Sequence, residues 1–230
     1  MEFFAQGGTL TQLPGTKQES DAVCKAFRTS LAGRARVVSL TGRDATETNV
    51  HRELRNRQFS YLHFAVHGLV DQKFQNLFGA LALSTPTRPT PDDDGFLSLN
   101  EIMKLPGLDG CELAVLSACE TNCGPARPLE AGSTMSRAFL IAGAQRVVCS
   151  HWNVDDVATT ELIGKFLQDV ALDLARDGRV DYAAALQAAK LKLRKNPDFN
   201  DPRFWAPFVL IGPPSSNSAT LDEAPIVTHN

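Results

Sequence analysis

The sequence predicts an α/β protein in which helices cover a mainly parallel β-sheet. Strand and helix patterns alternate at least four times along the 230 residues, and this order is typical of sheets whose strands are joined by helical crossovers. The segments 61–66 and 112–118 are apolar almost throughout. Continuous apolar strands of this kind are typical of a parallel sheet that is buried on both faces.

Each element follows from its own local pattern. Apolar residues at helical spacing predict the helices, and Asp155 or Asp156 and then Asp181 are the expected N-caps of the last two. The predicted helices cover 22–31, 46–57, 100–105, 131–142, 155–170 and 181–193. β-Branched or continuous apolar runs bounded by turn residues predict the strands. The predicted strands cover 36–40, 61–66, 79–83, 96–99, 112–118, 146–150 and 208–211.

The chain divides into three regions. Residues 1–16 are glycine-rich without periodicity and are expected to be an N-terminal connector. Residues 17–212 hold all the predicted elements and form the domain. Residues 213–230 begin with two prolines and are rich in Ser and Asn, so they are expected to be a disordered tail.

Composition excludes several classes of protein. With 23 Lys and Arg against 26 Asp and Glu the net charge is -3, so no basic excess is available to bind nucleic acid. The longest apolar run, 138–144, is far shorter than the ~20 residues of a membrane span. Five cysteines, an odd count in a chain that does not need disulfides to fold, indicate reduced thiols and a cytoplasmic location.

Two predicted strands end in residues that can carry chemistry. His67-Gly68 follows the strand at 61–66, and Cys119 follows the strand at 112–118. The carboxyl ends of parallel strands share one crevice, so the two side chains face each other if these strands are neighbours. An imidazole can take the proton of a thiol and return it to a leaving amine. Backbone N–H groups at Gly68 and Cys119 are the expected oxyanion donors.

Three segments in this order resemble the CHAT domain, a family of caspase-like cysteine peptidases related to separase. They are Tyr-Leu-His-Phe-Ala-Val-His-Gly at 61–68, Leu-Ser-Ala-Cys-Glu-Thr at 116–121, and Ala-Gly-Ala at 142–144 followed by Trp-Asn-Val-Asp-Asp at 152–156. The resemblance implies a caspase-like three-layer sandwich and a dyad of His67 and Cys119. It also implies hydrolysis of peptide bonds without a metal or any other cofactor.

The resemblance also suggests a specificity site. The segment 152–156 is similar to a separase segment whose last aspartate binds an arginine before the scissile bond, and that position is Asp156 here. A basic side chain needs such a carboxylate, although Asp155 and Asp156 are equally good helix caps. Ser150 and His151, at the end of the next strand, are expected to line the groove.

Further polar residues are candidates for the groove or for other roles. Glu120 follows the cysteine and either tunes it or faces solvent, while Asp71 is a second candidate for the groove wall. His63 is expected to be a hydrogen-bonded structural histidine. Asp92–Asp94 are interpreted as a solvated loop.

The remaining cysteines have simpler interpretations. Cys24 and Cys111 are expected to pack in the core, and Cys123 to be incidental or to form a regulatory disulfide with Cys119. A metal site of Cys119, Cys123, Cys149 and His151 is disfavoured, since the sequence has no Cys-x-x-Cys pair.

These observations favour a cysteine endopeptidase that cleaves proteins or peptides, after a basic residue, without nucleic-acid or membrane partners. Because CHAT domains commonly follow helical repeats, we expect a regulatory protein or helical-repeat domain to activate it by ordering the loops 69–79, 84–95 and 120–130. Two alternatives stay open. One is a non-catalytic caspase-like signalling or interaction module, and the other is an acyl transferase or other thiol hydrolase with the same dyad.

Overall fold

A computed structural model describes residues 10, 13–70, 79–118, 135–216 and 226–229 of the chain. The strands are β1 (Val38–Thr41), β2 (Tyr61–Ala65), β3 (His67–Val70), β4 (Gly79–Ala82), β5 (Phe96–Ser98), β6 (Leu113–Ser117), β7 (Val147–Ser150), β8 (Phe208–Ile211) and β9 (Ile226–His229). The helices are α1 (Pro14–Leu31), α2 (Glu47–Asn56), α3 (Leu99–Ile102), α4 (Met135–Ile141), α5 (Asp156–Asp177), α6 (Tyr182–Arg194) and α7 (Pro202–Trp205).

The main sheet has six strands in the order β1-β9-β2-β6-β7-β8. All neighbouring pairs are parallel except β7 and β8, which are antiparallel. Helices cover both faces of this sheet, so the predicted α/β class and the caspase-like three-layer sandwich are confirmed.

Alternate residues of the central strands face two separate hydrophobic cores. On one face Tyr61 and Val115 pack with residues of α1, α5 and α6. On the other face Leu62 and Leu116 pack with residues of α2, α3 and α4. The side-chain period of two in a strand produces this division, and it explains why β2 and β6 are apolar on both faces. Within the described residues, no helix combines the length and the hydrophobicity that a membrane span requires.

Helix α1 begins earlier than the periodicity predicts. Pro14 lies in its first turn, where the missing N–H costs nothing because the first N–H groups of a helix lack intrahelical acceptors. The helix therefore begins inside the segment 1–16 that was assigned to the connector. It ends at Leu31, and Ala32 adopts the left-handed conformation that commonly terminates helices.

A smaller sheet lies next to the end of β2. Only Val66 separates β2 from β3, and β3, β4 and β5 form a three-stranded antiparallel sheet. The strands expected at 79–83 and 96–99 are thus confirmed as neighbours. His67 and Gly68 are the first two residues of β3, where they pair with Ala82 and Leu81.

Strand β9 corrects the expectation for the tail. Ile226–His229 is not disordered: it lies between β1 and β2, and it pairs with both of them. Strands β1 and β2 do not pair with each other, so β9 supplies hydrogen-bond partners to two buried strand edges. The Ser- and Asn-rich composition that predicted disorder belongs mostly to the preceding residues. Residues 217–225 and Asn230 lie outside the described residues.

The acidic loop 92–94 also differs from its interpretation as fully solvated. Asp92 is exposed, but Asp93 is buried, and one of its carboxylate oxygens accepts the N–H of Thr48 at 3.3 Å. This loop therefore packs against the beginning of α2, where it approaches another carboxylate.

That carboxylate is Glu47, a buried residue in the first turn of α2. Its Oε2 accepts the N–H of Gly95 at 2.8 Å, and its Oε1 has no hydrogen-bond partner among the described residues. Burial raises the pKa of Glu47 to about 7, and the nearby carboxylates of Glu101, Asp94 and Asp93 act in the same direction. Folding therefore favours the protonated form of Glu47.

We expect Glu47→Gln to stabilise the protein at neutral and alkaline pH. A carboxyl group whose pKa rises from 4.5 to about 7 on folding binds its proton more tightly in the folded state, so the free energy of unfolding falls as pH rises through this window. Glutamine removes that loss, and it should raise the free energy of unfolding at pH 8 by ~1–3 kcal/mol with little effect at pH 4.5. Urea unfolding at several pH values measures this, with the exposed Glu161→Gln as control. Equal effects at pH 4.5 and pH 8 would contradict the prediction.

Candidate active site

The candidate site lies where β2 and β6 end. These strands are parallel neighbours in which Ala65 pairs with Ser117. His67 is two residues beyond Ala65, and Cys119 is two residues beyond Ser117. The condition that the sequence left open, that the two strands be adjacent, is therefore met. Cys119 itself lies outside the described residues.

The end of β2 fixes the place of His67. All five residues of β2 are buried, and the chain then leaves the main sheet at Val66 to enter β3. His67 and Gly68 are both half-buried. Pairing with β4 holds their backbone, so the imidazole is carried by a strand and not by an irregular loop.

Ser150 supports the strand that leads to Cys119. It was expected to line the groove, but the structure buries it at the end of β7 with 2% of its surface exposed. Its Oγ donates a hydrogen bond to the carbonyl oxygen of Ala118 at 3.0 Å. Because Ala118 directly precedes Cys119, Ser150 fixes the backbone on which the candidate nucleophile is carried.

The segment after β7 is more open. His151 is exposed, and its backbone N–H donates to the carbonyl oxygen of Pro207 at 3.1 Å. Trp152 is 42% exposed, although its Nε1 donates to the carbonyl oxygen of Arg203 at 3.1 Å. This edge of the sheet therefore presents an imidazole and an indole ring that are both accessible.

The two aspartates of this segment each bind a helix N-terminus. Asp155 is the N-cap of α5, as predicted, and its Oδ1 accepts the N–H groups of Val157 and Ala158 at 3.0 Å. Asp156 binds a different helix from the expected one. Its Oδ2 accepts the N–H of Gly15 in α1 at 2.7 Å, so the carboxylate predicted to recognise a basic residue also anchors α1.

A buried polar cluster links α1 to both strands of the site. Glu19 Oε1 lies 2.6 Å from His63 Nε2, and Glu19 Oε2 accepts the Ser117 hydroxyl at 2.9 Å. His63 is thus a hydrogen-bonded structural histidine, as expected. Glu19 was missed because the predicted helix began at Ala22. One signal could have identified it: Glu19 lies four residues before Val23, and this helical spacing puts its charged side chain on the apolar face of α1.

The cysteines within the described residues are poor nucleophiles. Cys24, Cys111 and Cys149 are buried free thiols. Burial raises the pKa of Cys24, and it raises the pKa values of Cys111 and Cys149 to about 12. Very little thiolate is therefore present at any of them near neutral pH. The packing expected for Cys24 and Cys111 agrees with this burial.

The described part of the chain holds no group of three His, Cys, Asp or Glu side chains placed to bind a metal ion. Cys149 of the alternative metal site lies in β7 with its side chain buried in the core, whereas His151 of that site is exposed. Cys119 and Cys123, which complete that site, lie outside the described residues, as do Glu120 and Asp71.

Comparison with protein families gives a match over most of the chain. The family model described as "CHAT domain" matches residues 4–213, which include every described element except β9. No curated protein matches the chain.

Gly15→Ala tests the contact between α1 and Asp156. A Cβ atom at this position would lie 2.5 Å from Asp156 Oδ2, so the carboxylate must leave the N–H that it caps. We expect a loss of ~1 kcal/mol in the free energy of unfolding, the usual value of a helix cap. In an Asp156→Ala background the same change should cost nothing, since alanine favours the helix. Urea unfolding of the four proteins measures this coupling, and an equal loss in both backgrounds would contradict it.

Proposed function

The chain belongs to the CHAT domain family, a caspase-like and peptidase-related family, and we propose that it is a cysteine endopeptidase acting through His67 and Cys119. The observation that carries the proposal is the parallel pairing of β2 with β6, in which Ala65 is opposite Ser117. In the sequence, His67 and Cys119 each come two residues after these paired positions. Side chains at equivalent positions beyond adjacent parallel strands open into the same crevice.

The proposed mechanism uses these groups in sequence. His67 takes the proton of the Cys119 thiol, and the thiolate attacks the carbonyl carbon of the scissile peptide bond. The N–H groups of Gly68 and Cys119 stabilise the oxyanion of the tetrahedral intermediate. His67 then donates its proton to the departing amine, which leaves an acyl-enzyme thioester. Finally His67 takes a proton from water, whose oxygen attacks the thioester and releases the acid and the thiol.

The environment of the other thiols supports Cys119 as the nucleophile. Burial raises the pKa values of Cys24, Cys111 and Cys149, whereas Cys119 directly follows Ala118, whose carbonyl oxygen accepts the Ser150 hydroxyl. A catalytic thiol, the role proposed for Cys119, must stay reduced, and a reducing compartment keeps it so. A cytoplasmic location is therefore part of the proposal.

We further propose that the enzyme cleaves after a basic residue that binds Asp156. This half-buried carboxylate lies on the segment that follows β7, the strand next to β6. One oxygen is bonded to Gly15, and a carboxylate oxygen has lone pairs for a second donor. Asp155 is exposed and adjacent, so it adds negative charge at the same place. Glu120, which follows Cys119, is proposed to contribute to the same substrate site.

The proposed partners are a protein substrate and a regulatory protein or helical-repeat domain. The exposed ring of Trp152 and the imidazole of His151 stand at the proposed substrate edge. Exposed aromatic groups are typical of residues that a bound protein covers. An activator that binds there would act directly on the segment that holds Asp156.

Alkylation of the cysteines tests the dyad without knowledge of the substrate. In substoichiometric iodoacetamide between pH 5 and 9, peptide mapping should show selective labelling of Cys119 below pH 7, because His67 favours its thiolate. His67→Ala should reduce labelling at pH 6 by ~10-fold or more. The reason is that a rise of about one unit in the pKa of the Cys119 thiol lowers its thiolate fraction ~10-fold at this pH.

His151→Ala is the matched control, because it removes an exposed imidazole from the next strand end and should leave the labelling unchanged. Cys123 serves as the internal reference thiol. If Cys119 and Cys123 react alike at pH 6 in the wild type, Cys119 is not activated. The non-catalytic interaction module would then replace the endopeptidase as the better hypothesis.

Asp156→Asn separates substrate recognition from helix capping. Asparagine keeps an oxygen that accepts the Gly15 N–H but carries no charge. We expect kcat/KM for peptides with Arg before the scissile bond to fall ~10–100-fold, which is the value of a charge-assisted hydrogen bond. Peptides with a neutral residue there should be cleaved as before. Asp181→Asn, which changes the N-cap aspartate of α6 outside the proposed substrate site, is the control. An equal loss for both peptide classes would exclude Asp156 as the specificity residue.

A further inference from the structure

We propose that Glu19 is a positioning residue, whose buried carboxylate holds the strands that lead to His67 and Cys119 in the geometry the dyad needs. This inference rests on the proposed function, and it assigns a role to a helix residue remote from both reacting atoms. The feature behind it is the cluster of Glu19, His63 and Ser117, in which one carboxylate bonds two adjacent strands.

The two bonds use different oxygens of the same side chain. Glu19 Oε1 is 2.6 Å from His63 Nε2 on β2, and Glu19 Oε2 is 2.9 Å from Ser117 Oγ on β6. The exposed fractions of Glu19, His63 and Ser117 are 1%, 1% and 5%. Water therefore does not compete for these bonds, and each is stronger than it would be at the surface.

The strand register places these bonds just before the reacting residues. His63 pairs with Val115 and Ala65 pairs with Ser117, so His63 and Ser117 are diagonal neighbours on the face that α1 covers. His63 precedes His67 by four residues, and Ser117 precedes Cys119 by two. The carboxylate thus bonds the middle residue of β2 and the last residue of β6, on the two strands that lead to the site.

A cluster of this kind is expensive to bury. Polar groups withdrawn from water destabilise the folded state unless they are well bonded, and His63 Nδ1 has no hydrogen-bond partner among the described residues. Val23 and Phe27 follow Glu19 on the same face of α1. An apolar side chain like theirs at position 19 would fill the same space without burying a polar group. Hydrogen bonds differ from apolar contacts in fixing direction and distance.

Helix α1 also connects this cluster with the proposed specificity segment. Four residues before Glu19, the Gly15 N–H binds Asp156 Oδ2 at 2.7 Å, and the Gly15 carbonyl accepts the Thr160 hydroxyl at 3.2 Å. One turn of helix therefore joins β2, β6 and the beginning of α5. The positions of the dyad and of the proposed basic-residue site are set from the same turn of α1.

The chemical consequence follows from the short range of proton transfer. A thiol and an imidazole exchange a proton efficiently only within hydrogen-bond reach, ~2.6–3.2 Å, and a misplacement of about 1 Å costs ~100-fold in rate. Loosening the cluster should therefore lower the thiolate content of Cys119 although no reacting group has been removed.

Ser117→Ala tests the proposal on the intact chain, with Cys119 alkylation between pH 5 and 9 and thermal unfolding as readouts. The variant removes only the hydroxyl that binds Glu19. We expect it to remain folded and Cys119 labelling at pH 6 to fall ~3–10-fold, corresponding to a rise of about 0.5–1 unit in the thiol pKa. Glu19→Gln has one acceptor oxygen where the carboxylate has two, so its loss should be at least as large. In a His67→Ala background neither change should reduce labelling further.

Ser216→Ala is the matched control. Ser216 is also buried, and its Oγ accepts the N–H of Val180 at 2.9 Å far from the candidate site, so it should lower the melting temperature without changing the labelling profile. If Ser117→Ala lowers the melting temperature but leaves a selective wild-type labelling profile unchanged, Glu19 is only structural and the proposed function stands. If wild-type Cys119 shows no selective labelling, the proposed function and this inference both fail.

Discussion

The parallel pairing of β2 with β6 is the constraint on which the rest of the structure depends. Strands in a sheet lie ~4.8 Å apart, so backbone hydrogen bonds hold residues at paired positions near each other. Here the paired positions are Ala65 and Ser117. The two hydrophobic cores stabilise this pair from both faces, and the candidate site follows the ends of the two strands.

The second organising element is the N-terminal part of α1. Its Gly15 N–H is hydrogen-bonded to Asp156, and its Glu19 carboxylate is hydrogen-bonded to His63 and Ser117. These bonds connect α1 to β2, to β6 and to the segment that follows β7. A surface helix that packed only through apolar contacts could slide or rotate slightly at little cost. The directional bonds of α1 remove that freedom on the side of the helix that is nearest to the candidate site.

Much of this architecture could be predicted from sequence, because it depends on local patterns. Continuous apolar runs identify buried strands such as β2 and β6. The position of Asp155, directly before a run of apolar residues at helical spacing, predicts its role as an N-cap. The features that could not be predicted depend on partners that are distant in the sequence. The hydrogen bond between Asp156 and Gly15 joins residues 141 positions apart. The burial of Glu19 could be predicted only if its partners, His63 and Ser117, were already known. The strand β9 was missed because an apolar pattern of four residues is too short to predict a strand within a segment whose composition predicts disorder.

The position of β9 has a consequence for how the protein folds. This strand lies between β1 and β2, which are among the earlier elements of the chain, so the centre of the sheet is completed by almost the last segment described. Contacts between residues so distant in sequence slow folding, because the loop between them must close first. During synthesis at a ribosome, β1 and β2 would wait with unpaired edges while all the intervening helices form. Such edges can pair with other chains, and the nascent protein is therefore most exposed to misassembly in the interval before β9 arrives.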